Sequence, residues 1–543
     1  MSTLPPLVID MHTHVFNAKY VPLEEIAISR KVPARIAKPL ARVLLILTRS
    51  SRLRYQAQER FGIDPQAQLM GVDDKHPLNH EEHTGELLIA DVLSQLALDA
   101  SAADSEFEAR VLVAESEMFN ELQQLNREFG DTESSSELEN LMANADTLRE
   151  KKALVELYDI KGLVLRGLKR MLRRFIKKAL NFVESTGDTL DFFYSMTASE
   201  KTLFDRLSKY YADKEVPYLF VHYMMDMAAP FEGEVEHEFY ASQIPRMAGL
   251  AQYSQGRLLG FAAFDPIRFV NNESDREDII RHLDYALENG KLGFKFYPPL
   301  GFKAAGNENT NLETVIDVFL DYCAERQVPV FTHCTPSGFE VVPDTTGFNA
   351  HPKYWRQALE KEGHENRRDL RLCFGHAGGG KRTVHTDDTS KVVMGWLSND
   401  AQWEDPDNYA AHVVNLCKEF KNVYCEIGYL HEIMDDASYA EAFKARLKAE
   451  FERADDGAYD FGKKIMYGSD WHMPSMINDV DDFLEQMMEY FEDDATLSPH
   501  RSTFFAGNAI DYLQLEGIVE HLGEVLGVSY REGLTSALSA YRT

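Results

Sequence analysis

The sequence predicts an α/β protein, a (β/α)8 TIM barrel with a long helical insertion after its first strand. Three observations carry this reading. Short apolar runs alternate with helical patterns from Glu215 onward, eight such strands are counted once the run beginning at Leu7 is included, and isolated His, Lys and Asp residues fall where those strands run out. Strict alternation implies parallel pairing through right-handed crossovers, and eight such units close on themselves.

The first strand is Leu7-Val8-Ile9-Asp10-Met11-His12-Thr13-His14, an apolar run of strand length ending in His-x-His. Side chains two apart on an extended chain point the same way, so both imidazoles share one side, the arrangement of a metal-ligand pair. From Tyr20 to Asp213 the character changes to helix, with charged and apolar residues at helical spacing through Leu87–Ala100, Glu106–Phe129 and Ala153–Val183. The Ser- and Glu-rich segment Thr132–Glu137 interrupts them as a loop. Two parts of this region, 30–54 and 161–178, are basic and read as solvated or acid-paired helix faces rather than as a membrane or anion surface. His76, His80 and His83 sit in a polar stretch and read as loop histidines.

The remaining strands are Val216–His222, Leu258–Phe264, Leu292–Tyr297, Val328–His333, Leu370–Gly375, Val423–Ile427 and Lys464–Gly468. Helical patterns lie between them, among them Arg276–Asn289, Thr314–Arg326, Ala410–Phe420 and Asp436–Asp455. At 543 residues the chain exceeds a usual single domain. The division expected is therefore 1–19 as the first barrel strand, 20–213 as the insertion, 214–515 as the rest of the barrel and 516–543 as a C-terminal helical tail. An insertion in the first strand-to-helix connection hangs from the face where barrel enzymes keep their chemistry, so it is expected to cap the entrance.

A formal net charge of -31 argues against nucleic acid as a partner and favours a soluble enzyme, whose partner is expected to be a small-molecule substrate. Five cysteines without CxxC spacing read as reduced thiols of a cytoplasmic protein. The first strand begins too close to Met1 for a signal segment ahead of it, and no apolar stretch approaches the roughly 20 residues of a membrane span. A homo-oligomer is left open.

His12, His14, Lys295, His333, His376 and Asp470 all fall at the C-terminal ends of these strands. One histidine ending an apolar strand is ordinarily a hydrogen-bonded core residue. Six polar residues at one mouth of one barrel call for a common cause, and a metal site supplies it. His222, Asp265, Arg268, Trp471 and His472 lie near the same rim, where they either meet substrate or satisfy loop backbone. Gly378-Gly379-Gly380 lacks a P-loop lysine and serine and reads as a flexible turn.

Asp10-Met11-His12-Thr13-His14, the single histidines of the fifth and sixth strands, and Gly468-Ser469-Asp470-Trp471 on the eighth resemble the amidohydrolase superfamily. More narrowly they are similar to the amidohydrolase-related group that contains the aminocarboxymuconate-semialdehyde decarboxylase type. Gly293-Phe294-Lys295-Phe296-Tyr297-Pro298-Pro299 and Phe505-Ala506-Gly507-Asn508-Ala509 are weaker local likenesses. The resemblance covers residues 1 to about 17 and about 215 to 515. It implies that His12, His14, His333 and Asp470 bind one divalent metal, with Asp470 also acting on the bound water and His376 a general acid/base or a ligand of a second ion. It implies for Lys295 either a carboxylated bridge between two metals or, in the one-metal arrangement favoured here, a substrate-side or structural cation. His472 departs from the proline usual at that position, which leaves its role open.

Three imidazoles and a carboxylate around a divalent ion can lower the pKa of bound water from about 15.7 toward 7. The activity expected is therefore a metal-dependent hydrolase of a C-N, C-O or lactone bond. The alternative is a metal-dependent decarboxylase or hydratase of an unsaturated or aromatic carboxylic acid, and a non-catalytic platform is disfavoured by the filled ligand positions. Zinc is the first choice of ion, with Mn2+ or Fe2+ fitting the same shell.

Overall fold

The computed structural model describes residues 7–29, 41, 198–231, 240–385, 390–430, 432–453, 459–471, 480–492 and 494–542. Most of the expected insertion, including Arg30–Arg54 apart from Ala41, the basic stretch 161–178 and His76, His80 and His83, lies outside the described residues, as does His472. Its described ends are helical, at Leu23–Ser29 and Glu200–Asp213.

Eight parallel strands form the sheet: β1 (Val8–Thr13), β2 (Tyr218–Tyr223), β3 (Leu258–Phe264), β4 (Lys291–Phe296), β5 (Val330–Thr332), β6 (Leu372–Phe374), β9 (Val423–Glu426) and β10 (Ile465–Met466). Between β6 and β9 the chain inserts an antiparallel hairpin, β7 (Lys381–His385) and β8 (Ser390–Met394). Each barrel strand pairs with its neighbour in sequence order. The first and last strands meet through Met11 N–H to Tyr467 O at 3.0 Å and a parallel bridge between Thr13 and Trp471, which brings the sheet round to a (β/α)8 barrel.

Two cores follow from side-chain alternation. Leu7, Ile9 and Met11 of the first strand join Leu219, Val221, Tyr223, Leu259, Phe261, Phe331, Cys373, Tyr424 and Met466 inside the barrel, while Val8, Phe220 and Phe294 join the larger cluster beneath the helices. The helices carry ordinary start signals. Arg276–Glu288 opens with a capping box from Asp275 and Asp278, and Thr310–Arg326 is capped by the Asn309 side chain.

The N-terminal mouth of the barrel is covered by the helices Leu515–Leu526 and Val528–Arg542. Tyr512 donates to the carbonyl of Val330 at 2.8 Å and Tyr530 to that of Leu258 at 2.9 Å, both at strand starts. Gly256, with φ +85, lies so close to the Tyr530 and Leu534 backbone that a Cβ would have no room. With that end covered, the C-terminal mouth is left for chemistry.

Candidate metal centre

Strict alternation would turn His12 outward, because Met11 faces the barrel interior. The pairing of β1 with β2 steps from Asp10↔Phe220 to Thr13↔His222, three residues against two, and this irregularity reverses the parity. His12 accordingly packs on the interior rings of Tyr223 and Phe331, with centroids 5.4 and 4.8 Å away. Asp10 faces the other way. Its carboxylate accepts from His12 N–H (3.1 Å), Ser469 N–H (2.9 Å), Ser469 Oγ (2.6 Å) and Tyr211 OH (2.7 Å), lacing the first strand to the last and to the helix Glu200–Asp213. Burial raises this carboxyl to about 6 against the pull of those four donors.

His12 Nε2 and His14 Nε2 lie 3.2 and 3.3 Å from the same oxygen, Asp470 Oδ1. The pair continues through His376, whose ring is 4.8 Å from that of His12 and whose Nε2 lies 3.1 Å from His333 Nδ1. Lys295 Nζ is 3.5 Å from His12 Nε2, over the ring faces of Phe331, Tyr223 and Tyr297. All six strand-end residues are therefore at one mouth, with His333 joined to His12 through His376 rather than directly. His376 and Asp470 both sit at φ 60 and Ala377 at φ 44, a left-handed backbone uncommon for residues other than glycine.

The outer nitrogens decide what the inner ones offer. His14 Nδ1 faces Tyr223 O at 3.1 Å, His376 Nδ1 faces Gly428 O at 2.8 Å, and His333 Nε2 faces Ser337 O at 2.5 Å. A carbonyl only accepts, so each of these ring nitrogens carries the proton, and in the neutral ring the opposite nitrogen presents a bare lone pair. His12 Nδ1 likewise meets Glu426 Oε1 at 2.8 Å. Burial holds His12 and His333 well below the ordinary imidazole range and His376 down to about 4, so these three rings are neutral at pH 7. Two lone pairs 3.2 and 3.3 Å from one carboxylate oxygen at Asp470, and two more facing each other at 3.1 Å between His376 and His333, repel unless a cation lies among them. The donor set thus fits a divalent ion. His12, His14 and Asp470 have ligand atoms mutually within 4.8 Å, as do His12, His376 and Glu426.

Glu426, at the end of β9, is the residue that reading the sequence missed. Fully buried, it accepts from His12 Nδ1 and, at 2.7 Å, from His376 N–H through Oε1, and from Gly428 N–H at 2.5 Å through Oε2. Burial pushes its carboxyl up to about 8 in the ion-free protein, and a divalent charge held beside His12 favours the carboxylate form. The signal was present, since Val423-Tyr424-Cys425-Glu426-Ile427-Gly428 places an acid at the end of an apolar strand, as at Asp470, with glycine close by. Gly468 and Gly428 leave the space it needs: a Cβ at either would run into the Glu426 carboxylate and against His12.

Other rim residues serve structure. His222 Nδ1 accepts from Val15 N–H at 3.1 Å, Asp265 caps the helix Pro266–Asn271, and Arg268 makes a two-pronged ion pair with Asp226 at 2.6 and 2.7 Å. The glycine run is no loose turn. Gly379 O accepts from Trp396 N–H at 2.9 Å, which ties the run to the far side of the hairpin. No helix among the described residues is long and apolar enough to cross a membrane.

The sequence profile of the family described as Amidohydrolase matches residues 207–515, taking in β2 to β10 but not the strand that carries His12 and His14. Two crystal structures of an amidohydrolase from Burkholderia multivorans, one with bound Zn and one with bound HEPES, are similar to this chain at 12% identity and a TM-score of 0.34. Each covers 57% of this chain, and 87% and 88% respectively of its own. No curated protein matches.

Proposed function

The chain belongs to the amidohydrolase family, and from that premise we propose that it is a hydrolase of a C-N, C-O or lactone bond in a small molecule. In this reading His12, His14, His333 and Asp470 hold one divalent ion, zinc being the first choice, and the reaction proceeds at the C-terminal mouth of the barrel. The observation that carries it is the set of four imidazoles whose outer nitrogens are all engaged by acceptors, so that the lone pairs of His12 and His14 meet at Asp470 and those of His333 and His376 face each other next to His12. When bound, the ion supplies Lewis acidity and an acidified water.

The chain's own groups do the rest. Asp470 accepts a proton from water at the site, held to that task by its place between His12 Nε2 and His14 Nε2. His376, with its Nδ1–H fixed on Gly428 O, presents Nε2 to receive a proton and return it to the leaving group. Lys295, lowered to about 8 by burial, stabilises negative charge developing on the substrate when protonated. The insertion 20–213 is proposed to narrow the entrance.

A second reading rests on Lys295 alone. A buried ammonium 3.5 Å from His12 Nε2 is placed to hold a substrate carboxylate, which favours a decarboxylase or hydratase like the aminocarboxymuconate-semialdehyde decarboxylase type. A screen of amide, lactone and unsaturated carboxylate substrates separates the two. The hydrolase reading expects turnover of an amide or lactone that Asp470→Asn lowers at least 100-fold with the barrel still folded. Release of CO2 with no hydrolysis would replace it with the second.

A further inference from the structure

Between the His376 turn and the next barrel helix the chain places the antiparallel strands β7 (Lys381–His385) and β8 (Ser390–Met394). Both strands of this hairpin are tied at its base to the part of the site where His333 and His376 face each other. At its base, Trp396 donates its indole N–H to Ala377 O at 2.9 Å and its backbone N–H to Gly379 O at 2.9 Å. Gly395 packs so tightly on Gly379 O that no side chain fits there. This support falls on the residues whose left-handed backbone turns His376 toward the site.

On the first strand of the hairpin, Arg382 reaches across to the loop after β5. Its guanidinium donates to Pro336 O, to Glu340 Oε2 at 3.2 Å and to Asp344 Oδ1 at 3.1 Å. Glu340 is itself buried, with Oε1 accepting from Gly347 N–H at 2.7 Å. Pro336 is followed directly by Ser337, whose carbonyl receives the His333 Nε2 proton. Gly338 lies against Tyr297 OH and His333 Nε2 with no room for a Cβ, and Phe339 N–H donates to Tyr297 OH at 2.9 Å.

We propose that the hairpin is a clamp on the His333–His376 pair and that Arg382 is a positioning residue, pinning the Ser337 carbonyl on His333 Nε2 so that Nδ1 faces the metal site. Acceptors that fix the tautomer and ring angle of a metal-binding histidine commonly control affinity by ten- to a hundredfold. Here the acceptor is a loop carbonyl, and Arg382 keeps it in place from another element. The metal arm of this inference rests on the reading of His333 as a ligand; the tautomer arm does not.

The test uses the full-length protein with Arg382→Ala and Arg382→Lys, each alone and combined with His333→Ala. In metal-free protein, nitrogen NMR of the imidazoles reads the His333 tautomer, and competition with a chelator reads the Zn2+ affinity. The clamp predicts a single Nε2–H form of His333 in the parent and a mixture in Arg382→Ala. It also predicts a ten- to hundredfold weaker Zn2+ affinity, partial recovery in Arg382→Lys, and no further loss when Arg382→Ala is added to His333→Ala. An unchanged tautomer in Arg382→Ala overturns the proposal, as does an equal loss of affinity in both backgrounds, which marks general destabilisation. If the parent binds no Zn2+, the metal reading of the site fails while the tautomer measurement still decides the clamp.

Discussion

Replacing Glu426 by glutamine tests the role of a residue that touches the His12 imidazole and the His376 backbone. With an ion bound, the parent carboxylate receives three N–H donors, from His12 Nδ1 at 2.8 Å, His376 N at 2.7 Å and Gly428 N at 2.5 Å. An amide offers one oxygen and one NH2. With the oxygen toward His12 and His376, the NH2 faces Gly428 N–H, donor against donor; flipped, it opposes two donors instead of one. The first orientation is therefore adopted, at the cost of one charge-assisted hydrogen bond, about 1.5 to 3 kcal/mol. The His12 ring also loses the full charge that makes its Nε2 a stronger donor to an ion. One factor of ten is about 1.4 kcal/mol, so Glu426→Gln should weaken divalent-ion affinity by roughly 10- to 100-fold. Chelator competition monitored by a chromogenic indicator gives the dissociation constant directly. Affinity within a factor of two of the parent, in a protein with unchanged circular dichroism, would refute the role given to Glu426.

Gly468→Ala should act on the same contact from the other side, since the added methyl meets Glu426 Oε2 and the His12 Cβ; a loss of at least tenfold in ion affinity with a folded barrel is expected from the same competition assay. His282 is buried against the Phe269 and Tyr240 rings, and burial lowers it to about 4. Because its folded pKa lies below the unfolded value of about 6.5, the stability tied to it is complete above pH 6.5 and is lost as pH falls toward 4, by about 3 kcal/mol. Urea titrations of His282→Gln across that window should show a correspondingly shallower acid decline; identical declines would remove His282 as a cause.

The strand ends carried most of what could be read. An apolar run closed by a single His or Asp is a local pattern, and it located His12, His14, His333, His376 and Asp470 together with the order of the eight strands. Strand limits differ by a residue or two, β5 and β6 stopping before their histidines, because backbone pairing rather than hydropathy ends a strand. The alternation argument found the right pair at β1 without the whole cause, since the irregular step between Asp10 and Thr13 is what turns His12 inward and leaves no mark in composition. Glu426 was passed over as part of a strand, although an acid closing an apolar run matched the pattern used for Asp470. The hairpin escaped because its residues, Lys381-Arg382-Thr383-Val384-His385 and Ser390-Lys391-Val392-Val393-Met394, are largely polar or only briefly apolar, and the glycines before it suggested a loose turn. Arg382's partners are 38 to 46 residues away, beyond any local pattern.

Metal content is the most direct measure of the central claim. Purified protein loaded with Zn2+, passed through a desalting column and analysed for elements should retain one ion per chain, and His12→Ala, with the same circular dichroism, should retain none. A parent chain that keeps no ion, or a His12→Ala protein that keeps the full complement, would contradict the convergence of imidazole lone pairs on which the functional reading stands.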